Sequence, residues 1–326
     1  MSVVLTRSRC INALRCYAGY ALSFFGAVRV RHRPVFVSVE PASLCQLRCP
    51  ECPVGSQSPL PPTYSGERRT PFMTREVWVR VLAQTARWAH TMQFYFQGEP
   101  LLNSDLPRMI SEAHEAGLFT IVSTNAQAMT EATAQALVGA GLDRIIVSMD
   151  GMTQESYSAY RVGGSVEKCK QALRWLREAK ERAGSRIVIE LQCLRLRTNE
   201  KDWGALTRAY KRLGADRLVL KTAQLYDYAE GHPLMPTDRR YSRYIPDADG
   251  RYHRRRRGKG CLRVWSGVVV TTEGEVLPCC YDKGHAHAYG NILEKPMEEL
   301  FGSEKANAFR RAALREEPEI CKECWR

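Results

Sequence analysis

The sequence predicts an α/β fold built on a parallel sheet, and two observations carry that prediction. From Pro34 to Lys221, short β-rich runs alternate with amphipathic helical stretches through six repeats. Repeated βα units place parallel strands beneath helices, in a doubly wound sheet or a barrel. Beyond Lys221 the alternation stops, and a hairpin signal and a helix follow among clustered cysteines. The 326 residues, 44% apolar and 25% charged, match ordinary soluble chains of one large or two medium domains. A disordered chain, a collagen-like fibre and a disulfide-stapled miniprotein are thereby excluded.

Residues 1–33 come first. An apolar run, Cys16 to Val28, is preceded by Arg7, Arg9 and Arg15 and followed by Arg29, Arg31 and Arg33. Its 13 residues fall short of the roughly 20 that cross a bilayer, and no small-residue cleavage site follows it, which speaks against export. Ile11, Leu14, Ala18, Ala21, Leu22 and Phe25 recur at helical spacing and predict an amphipathic helix. Such a helix either packs on the body of the protein or lies on a membrane surface, its arginines against anionic lipid.

The βα series occupies residues 34–221. Strands are expected at Val35–Val39, Met92–Phe96, Phe119–Ser123, Arg144–Met149, Arg186–Leu194 and Arg217–Lys221. Between them the periodicity predicts helices at Thr74–His90, Ser104–Ala116, Thr130–Ala140, Ser165–Ala183 and Glu200–Leu213. A Pro- and Gly-rich loop fills Pro53 to Pro71. In this class the ligand site lies at the C-terminal ends of the strands. Residues 222–260, with Pro233, Pro236, Pro246 and a basic run over 254–259, read as a linker or lid and hold a domain boundary. Residues 261–326 follow: Val268–Thr272 and Glu275–Leu277 flank Glu273-Gly274, a hairpin signal, and a helix over Pro296–Leu314 leads to the last cysteines.

Chemistry enters with Cys45-x3-Cys49-x2-Cys52, just after the first strand. Three thiolates on one short loop hold three corners of a cubane iron–sulfur cluster and leave one iron open for a further ligand. Four-cysteine ligation instead suits electron transfer. A three-cysteine zinc knuckle is the competing reading, but a βα setting is foreign to such a module.

In this setting the cysteine motif resembles that of the radical S-adenosylmethionine superfamily, and the resemblance covers roughly residues 34–326. It implies a partial (β/α)6 barrel with a small C-terminal auxiliary-cluster domain, a β-hairpin plus helix. Gln97-Gly98-Glu99-Pro100 is similar to the family's Gly-Gly-Glu-Pro motif, with Gln97 in place of the first glycine. The resemblance implies that Gly98 and Glu99 bind the methionine amino group, and a carboxylate suits an ammonium. Thr124 and Asn125 at the third strand end, and Ser148 and Asp150 at the fourth, are similar to ribose- and carboxylate-contacting positions. Arg161 matches an arginine that pairs with the methionine carboxylate in related maturases, as a planar guanidinium does well.

The C-terminal Cys261, Cys279, Cys321 and Cys324 resemble the auxiliary-cluster region of SPASM or twitch type. They imply one further, fully ligated [4Fe-4S] cluster, with Cys280 as an alternative to Cys279. A four-cysteine zinc site remains open on spacing alone. Cys10, Cys16, Cys169 and Cys193 read as packing residues. Clusters and reduced thiols imply a cytoplasmic protein.

The resemblance implies an enzyme that reductively cleaves S-adenosylmethionine to a 5′-deoxyadenosyl radical and abstracts hydrogen from a substrate. A flavodoxin or ferredoxin would reduce it, and the auxiliary cluster would assist net oxidation or bond formation. Peptide or protein maturation is the leading expectation. The 34 residues before the first strand are too few for a leader-binding domain, so a separate partner would supply one. The alternative is dehydrogenation or rearrangement of a small polar, sugar-like or lipid-linked molecule. RNA modification would suit the +13 net charge, but no aromatic residues interleave with the basic run to stack bases. A non-catalytic metal-binding protein would not need the cofactor motifs.

Overall fold

A computed structural model describes residues 4–28, 30–55, 70–255 and 260–324 of the chain. Thr6 caps helix α1 (Arg7–Ser23), its hydroxyl accepting from the Arg9 amide. The helix packs on the body, but not by the face that periodicity predicts. Arg9, Asn12, Cys16 and Ser23 are buried, whereas Ile11, Leu14, Leu22 and Phe25 are exposed. The Arg9 guanidinium donates to the carbonyls of Val4, Ala86, Ala116 and Gly117. Asn12 donates to Arg33 and Trp88 carbonyls and accepts from the Arg33 amide. Carbonyls at helix ends lack intrahelical partners, and a guanidinium with five donors satisfies several at once. Polar docking of this kind is invisible to a hydrophobic pattern.

The barrel then follows in order: β1 (Phe36–Val39), α2 (Arg75–Thr85), β2 (Thr91–Phe94), α3 (Leu106–Glu115), β3 (Phe119–Thr124), α4 (Glu131–Gly139), β4 (Arg144–Ser148), α5 (Gln154–Ser158), α6 (Val166–Arg182), β5 (Val188–Arg195), α7 (Trp203–Ala209) and β6 (Arg217–Thr222). Strands β1 to β6 pair in sequence, each parallel to the next. Among the described residues strand β6 forms one edge of the sheet and does not pair with β1, so the barrel is partial, as expected. Val37, Val39, Met92, Phe94, Val122, Ile145, Val147, Ile189 and Leu191 are buried on the strands. Helices α2, α3, α4 and α6 cover them with Trp78, Ile110, Leu137 and Leu173, each burial contributing about 1.5–3 kcal/mol.

The helix expected over 200–213 is shorter than its pattern. Residues Arg197–Asp202 form a 3-10 segment before α7. Asn199 turns inward there: its amide donates to the carbonyls of Asp150 and Leu194, and its oxygen accepts from Leu196 N and Trp203 Nε1.

Residues 222–255 are not a loose linker. They carry a hairpin of β7 (Tyr244–Pro246) and β8 (Tyr252–Arg254). Ala223, Leu225, Leu234, Met235 and Tyr244 form a second core with Leu47, Cys49, Tyr160 and Leu196. The basic run expected over 254–259 lies outside the described residues at 256–259.

After α8 (Leu262–Ser266), β9 (Gly267–Val270) pairs parallel with β1 from Phe36↔Gly267 to Val39↔Val270. Next, β10 (Glu275–Leu277) returns antiparallel to β9, and β11 (Gly290–Asn291) completes one nine-stranded sheet. The helix expected over 296–314 is broken into α9 (Met297–Gly302) and α10 (Glu304–Leu314) at Ser303, whose hydroxyl caps α10 by accepting from Ala306 N. Helix α11 (Glu319–Lys322) carries Cys321.

Candidate cluster and cofactor site

The loop leaving β1 turns twice on itself. The Cys52 amide donates to Cys49 O at 3.1 Å, and the Gly55 amide to Cys52 O at 3.1 Å. Gly55 permits the second turn, since a Cβ there would sit 2.7 Å from Leu47 O. Cys45, Cys49 and Cys52 are all free thiols and stand within electrostatic reach of one another. Burial pushes the Cys49 thiol up to about 11, with Cys52 and Cys45 adding to the rise and the Arg161 charge opposing it. The Leu47 amide and the Asn125 side-chain amide donate to Cys45 Sγ at 3.4 and 3.5 Å, as donors do to cluster-ligating sulfur. Among the described residues no three His, Cys, Asp or Glu side chains close on a single metal ion. The three thiols fit an iron–sulfur cluster, in which metal and sulfide lie between the cysteine sulfurs.

Opposite this loop, β2 ends at the Gln97-Gly98-Glu99-Pro100 turn. Gly98 has φ +64°, and a Cβ on it would lie 2.2 Å from Ala42 O, so only glycine fits. The Glu99 amide donates to Leu44 O at 2.7 Å, which ties the turn to the cysteine loop. The Glu99 carboxylate is buried and accepts from Thr124 Oγ1 at 2.5 Å, Asn125 N at 2.7 Å and Leu101 N at 3.1 Å. Burial raises its pKa against the pull of those donors. Gln97 uses the place of a glycine differently: its Nε2 donates to Lys283 O at 2.9 Å, across to the C-terminal part of the chain.

At the end of β4, Ser148 is buried, and Asp150 lies two residues on. Arg161 Nε donates to Asp150 Oδ2 at 2.6 Å, and the Leu194 amide to Oδ1 at 2.6 Å. Burial opposes the Arg161 charge, yet Asp150 and Cys49 outweigh it, and the guanidinium is held firmly protonated. Asp150 therefore faces Arg161. The structure brings Cys45, Cys49, Cys52, Gly98, Glu99, Thr124, Asn125, Asp150 and Arg161 to one rim, at the C-terminal ends of β1 to β4.

Of the C-terminal thiols, Cys261, Cys280 and Cys324 lie within electrostatic reach of Cys279, and Cys321 is buried on α11. Cys261 precedes α8, and Cys279 follows β10, buried, with Cys280, Cys261 and Cys324 as its electrostatic neighbours. Cys280 has a further partner: Arg263 Nη1 lies 3.4 Å from its sulfur, and its charge also reaches Tyr95, Lys221 and Lys283.

Sequence reasoning passed over Glu51 and Lys283. Glu51 accepts from the Tyr226 amide at 2.6 Å and pairs with His232 at 3.3 Å, fastening residues 222–255 over the cysteine loop. Lys283 Nζ donates to Tyr226 Oη at 2.9 Å. Burial opposes its charge, but Tyr226, Cys52 and Cys280 raise its pKa. Its place between the two thiol groups had no signal in the sequence beyond the unexplained Gln97 that grips it.

Comparison with known proteins follows the same division. Residues 39–189 match the radical SAM superfamily, and residues 261–325 match an iron–sulfur cluster-binding domain. The chain is 28% identical over 317 residues to a PqqA peptide cyclase of Rhizobium meliloti (strain 1021), covering 90% of this chain and 80% of that one. In fold it is similar to Streptococcus suis SuiB bound to S-adenosylmethionine, with a TM-score of 0.65 at 13% identity, covering 98% of this chain and 78% of the other. It is also similar to BtrN in complex with AdoMet and 2-DOIA, with a TM-score of 0.55 at 20% identity, covering 90% and 93%.

Proposed function

The chain belongs to the radical SAM superfamily, with an iron–sulfur cluster-binding domain at residues 261–325, and on that premise we propose that it matures a peptide or protein substrate by hydrogen abstraction. The observation that carries the enzymatic reading is the convergence of Cys45, Cys49 and Cys52 with Glu99 and Arg161 at one rim. Peptide as substrate is supported by the peptide cyclase relative, which aligns over 90% of the chain.

In this reading Cys45, Cys49 and Cys52 hold the first cluster, and Cys261, Cys279, Cys321 and Cys324 the auxiliary one. The first cluster and S-adenosylmethionine, when bound, supply a 5′-deoxyadenosyl radical able to take hydrogen from an unactivated carbon. Glu99 receives the ammonium of the methionine moiety, and Gly98 lets the backbone come close. Arg161, oriented by Asp150, receives the carboxylate. Thr124, Asn125 and Ser148 line the strand ends where the nucleoside lies. The 222–255 wall keeps water from the cysteine loop. A small flavodoxin or ferredoxin delivers the reducing electron, and the protein works in the cytoplasm, where cysteines that form no disulfide stay reduced.

The test is anaerobic reconstitution with iron and sulfide, reduction, and measurement of 5′-deoxyadenosine. The wild type forms it and Cys45→Ala does not; equal formation by both overturns the mechanism. A precursor peptide, where one is encoded beside the gene, should change in mass when incubated with the enzyme. An unchanged peptide, with a small polyol oxidised in its place, overturns the substrate assignment.

A further inference from the structure

Among the described residues thirteen large apolar side chains are exposed, and eight of them lie between Val4 and Phe25. On α1 and its C-terminal extension, Ile11 is 38% exposed, Leu14 69%, Leu22 55% and Phe25 87%. With Ala18 and Ala21, also exposed, they share one helical face. The opposite face, through Arg9, Asn12 and Cys16, is bound to the body of the protein. The exposed stripe is therefore left over after the helix has docked. Arg7, Arg15 and Arg31 are exposed around it, and the first acidic residue of the chain is Glu40.

We propose that α1 lays this face on an anionic lipid surface. An apolar stripe rimmed by arginines, on a helix unable to span, is the arrangement that enters the headgroup boundary of a bilayer. Among the described residues no helix is long and apolar enough to cross one. Charge complementarity selects this occupant. Two copies meeting by this face would bring Arg7, Arg15 and Arg31 of each against the other's, on a helix that carries no acid of its own, whereas an anionic leaflet attracts each of them.

The geometry also fixes which way the enzyme faces. The carbonyls that hold Arg9 and Asn12 belong to Ala86, Trp88, Ala116 and Gly117, at the ends of α2 and α3 and ahead of β2 and β3. That is the end of the barrel opposite the cysteine loop. A docked molecule turns its reaction centre away from the membrane, toward a substrate arriving from solution.

The proposal is independent of substrate and is tested by flotation of the full, reconstituted chain with vesicles. Binding is expected to equimolar phosphatidylcholine and phosphatidylglycerol and not to phosphatidylcholine alone, and it should weaken about ten-fold between 0.1 and 0.5 M salt. The double variant Leu14→Glu/Phe25→Glu should bind at least about ten-fold less, with 5′-deoxyadenosine formation unchanged. Failure to float with the anionic vesicles, or equal flotation of the double variant, overturns the proposal. So does a wild-type dimer that the double variant dissolves without any vesicle binding.

Discussion

Asp150 holds Arg161 by its Nε at 2.6 Å while its other oxygen accepts from the Leu194 backbone at 2.6 Å. One carboxylate thus fixes the guanidinium relative to β5. Asp150 is 1% exposed, and breaking a buried pair by removing one partner costs about 3–5 kcal/mol. Asp150→Ala is expected to lower the denaturation midpoint by a corresponding amount. Asp150→Asn keeps the shape but loses the charge, and should raise the KM for S-adenosylmethionine about ten-fold or more, as a 1.4 kcal/mol loss of orientation would.

Gly98→Ala puts a Cβ 2.2 Å from Ala42 O at a φ of +64°. The left-handed backbone alone costs an L-residue about 1–2 kcal/mol, and the collision displaces the cysteine loop from the β2 turn. Chemical denaturation should show at least that loss, and iron analysis should show a poorly filled first cluster. A variant with full stability and full iron would contradict the close packing described above.

His32 gives a pH dependence. Its Nε2 donates to Trp265 O at 2.7 Å, and its buried Nδ1 has no partner, so a second ring proton would find no acceptor. Burial first, and the nearby Arg310 charge in addition, push its pKa down from 6.5 to about 4. The unfolded chain therefore takes up this proton at a higher pH than the folded one. The contribution is complete above pH 6.5 and is lost as pH falls toward 4. Between pH 7 and 5 the loss is about 2 kcal/mol. Denaturation midpoints of wild type and His32→Gln across this range should differ in slope by that amount. Parallel curves would show that His32 does not titrate as described.

Cys279 and Cys280 are separable by iron content. Cys279→Ser should reduce bound iron from about eight to about four per chain, because Cys279 is buried with Cys261 and Cys324 among its electrostatic neighbours. Cys280→Ser should leave iron unchanged and disturb the environment of Arg263 and Lys283. The reverse pattern would exchange their roles.

Much of the barrel was readable because its helices and strands each bury one continuous apolar face, and the strands of the series fall within a few residues of their patterns. The cysteine loop and the strand-end motifs were readable because their chemistry needs those side chains at fixed spacing. What sequence missed was held by polar groups acting on backbone. Arg9 docks α1 through carbonyls, Asn199 unwinds the start of a helix, and Glu51 straps the 222–255 segment to the cysteine loop. Each is a residue type that is ordinarily solvated, so burial could not be inferred from identity. Gln97 stood out as a departure from its motif, but its partner, Lys283, lies 186 residues away.

The parallel pairing of β9 with β1 makes the second thiol group a continuation of the first one's scaffold rather than a neighbour across a joint. The hydrogen-bond ladder between Phe36–Val39 and Gly267–Val270 acts as a ruler. An electron passing between the two groups would meet a gap that this ladder helps to set. Tunnelling rates decay steeply with distance, so a ladder that holds the two groups in register would also hold the rate of any electron passing between them.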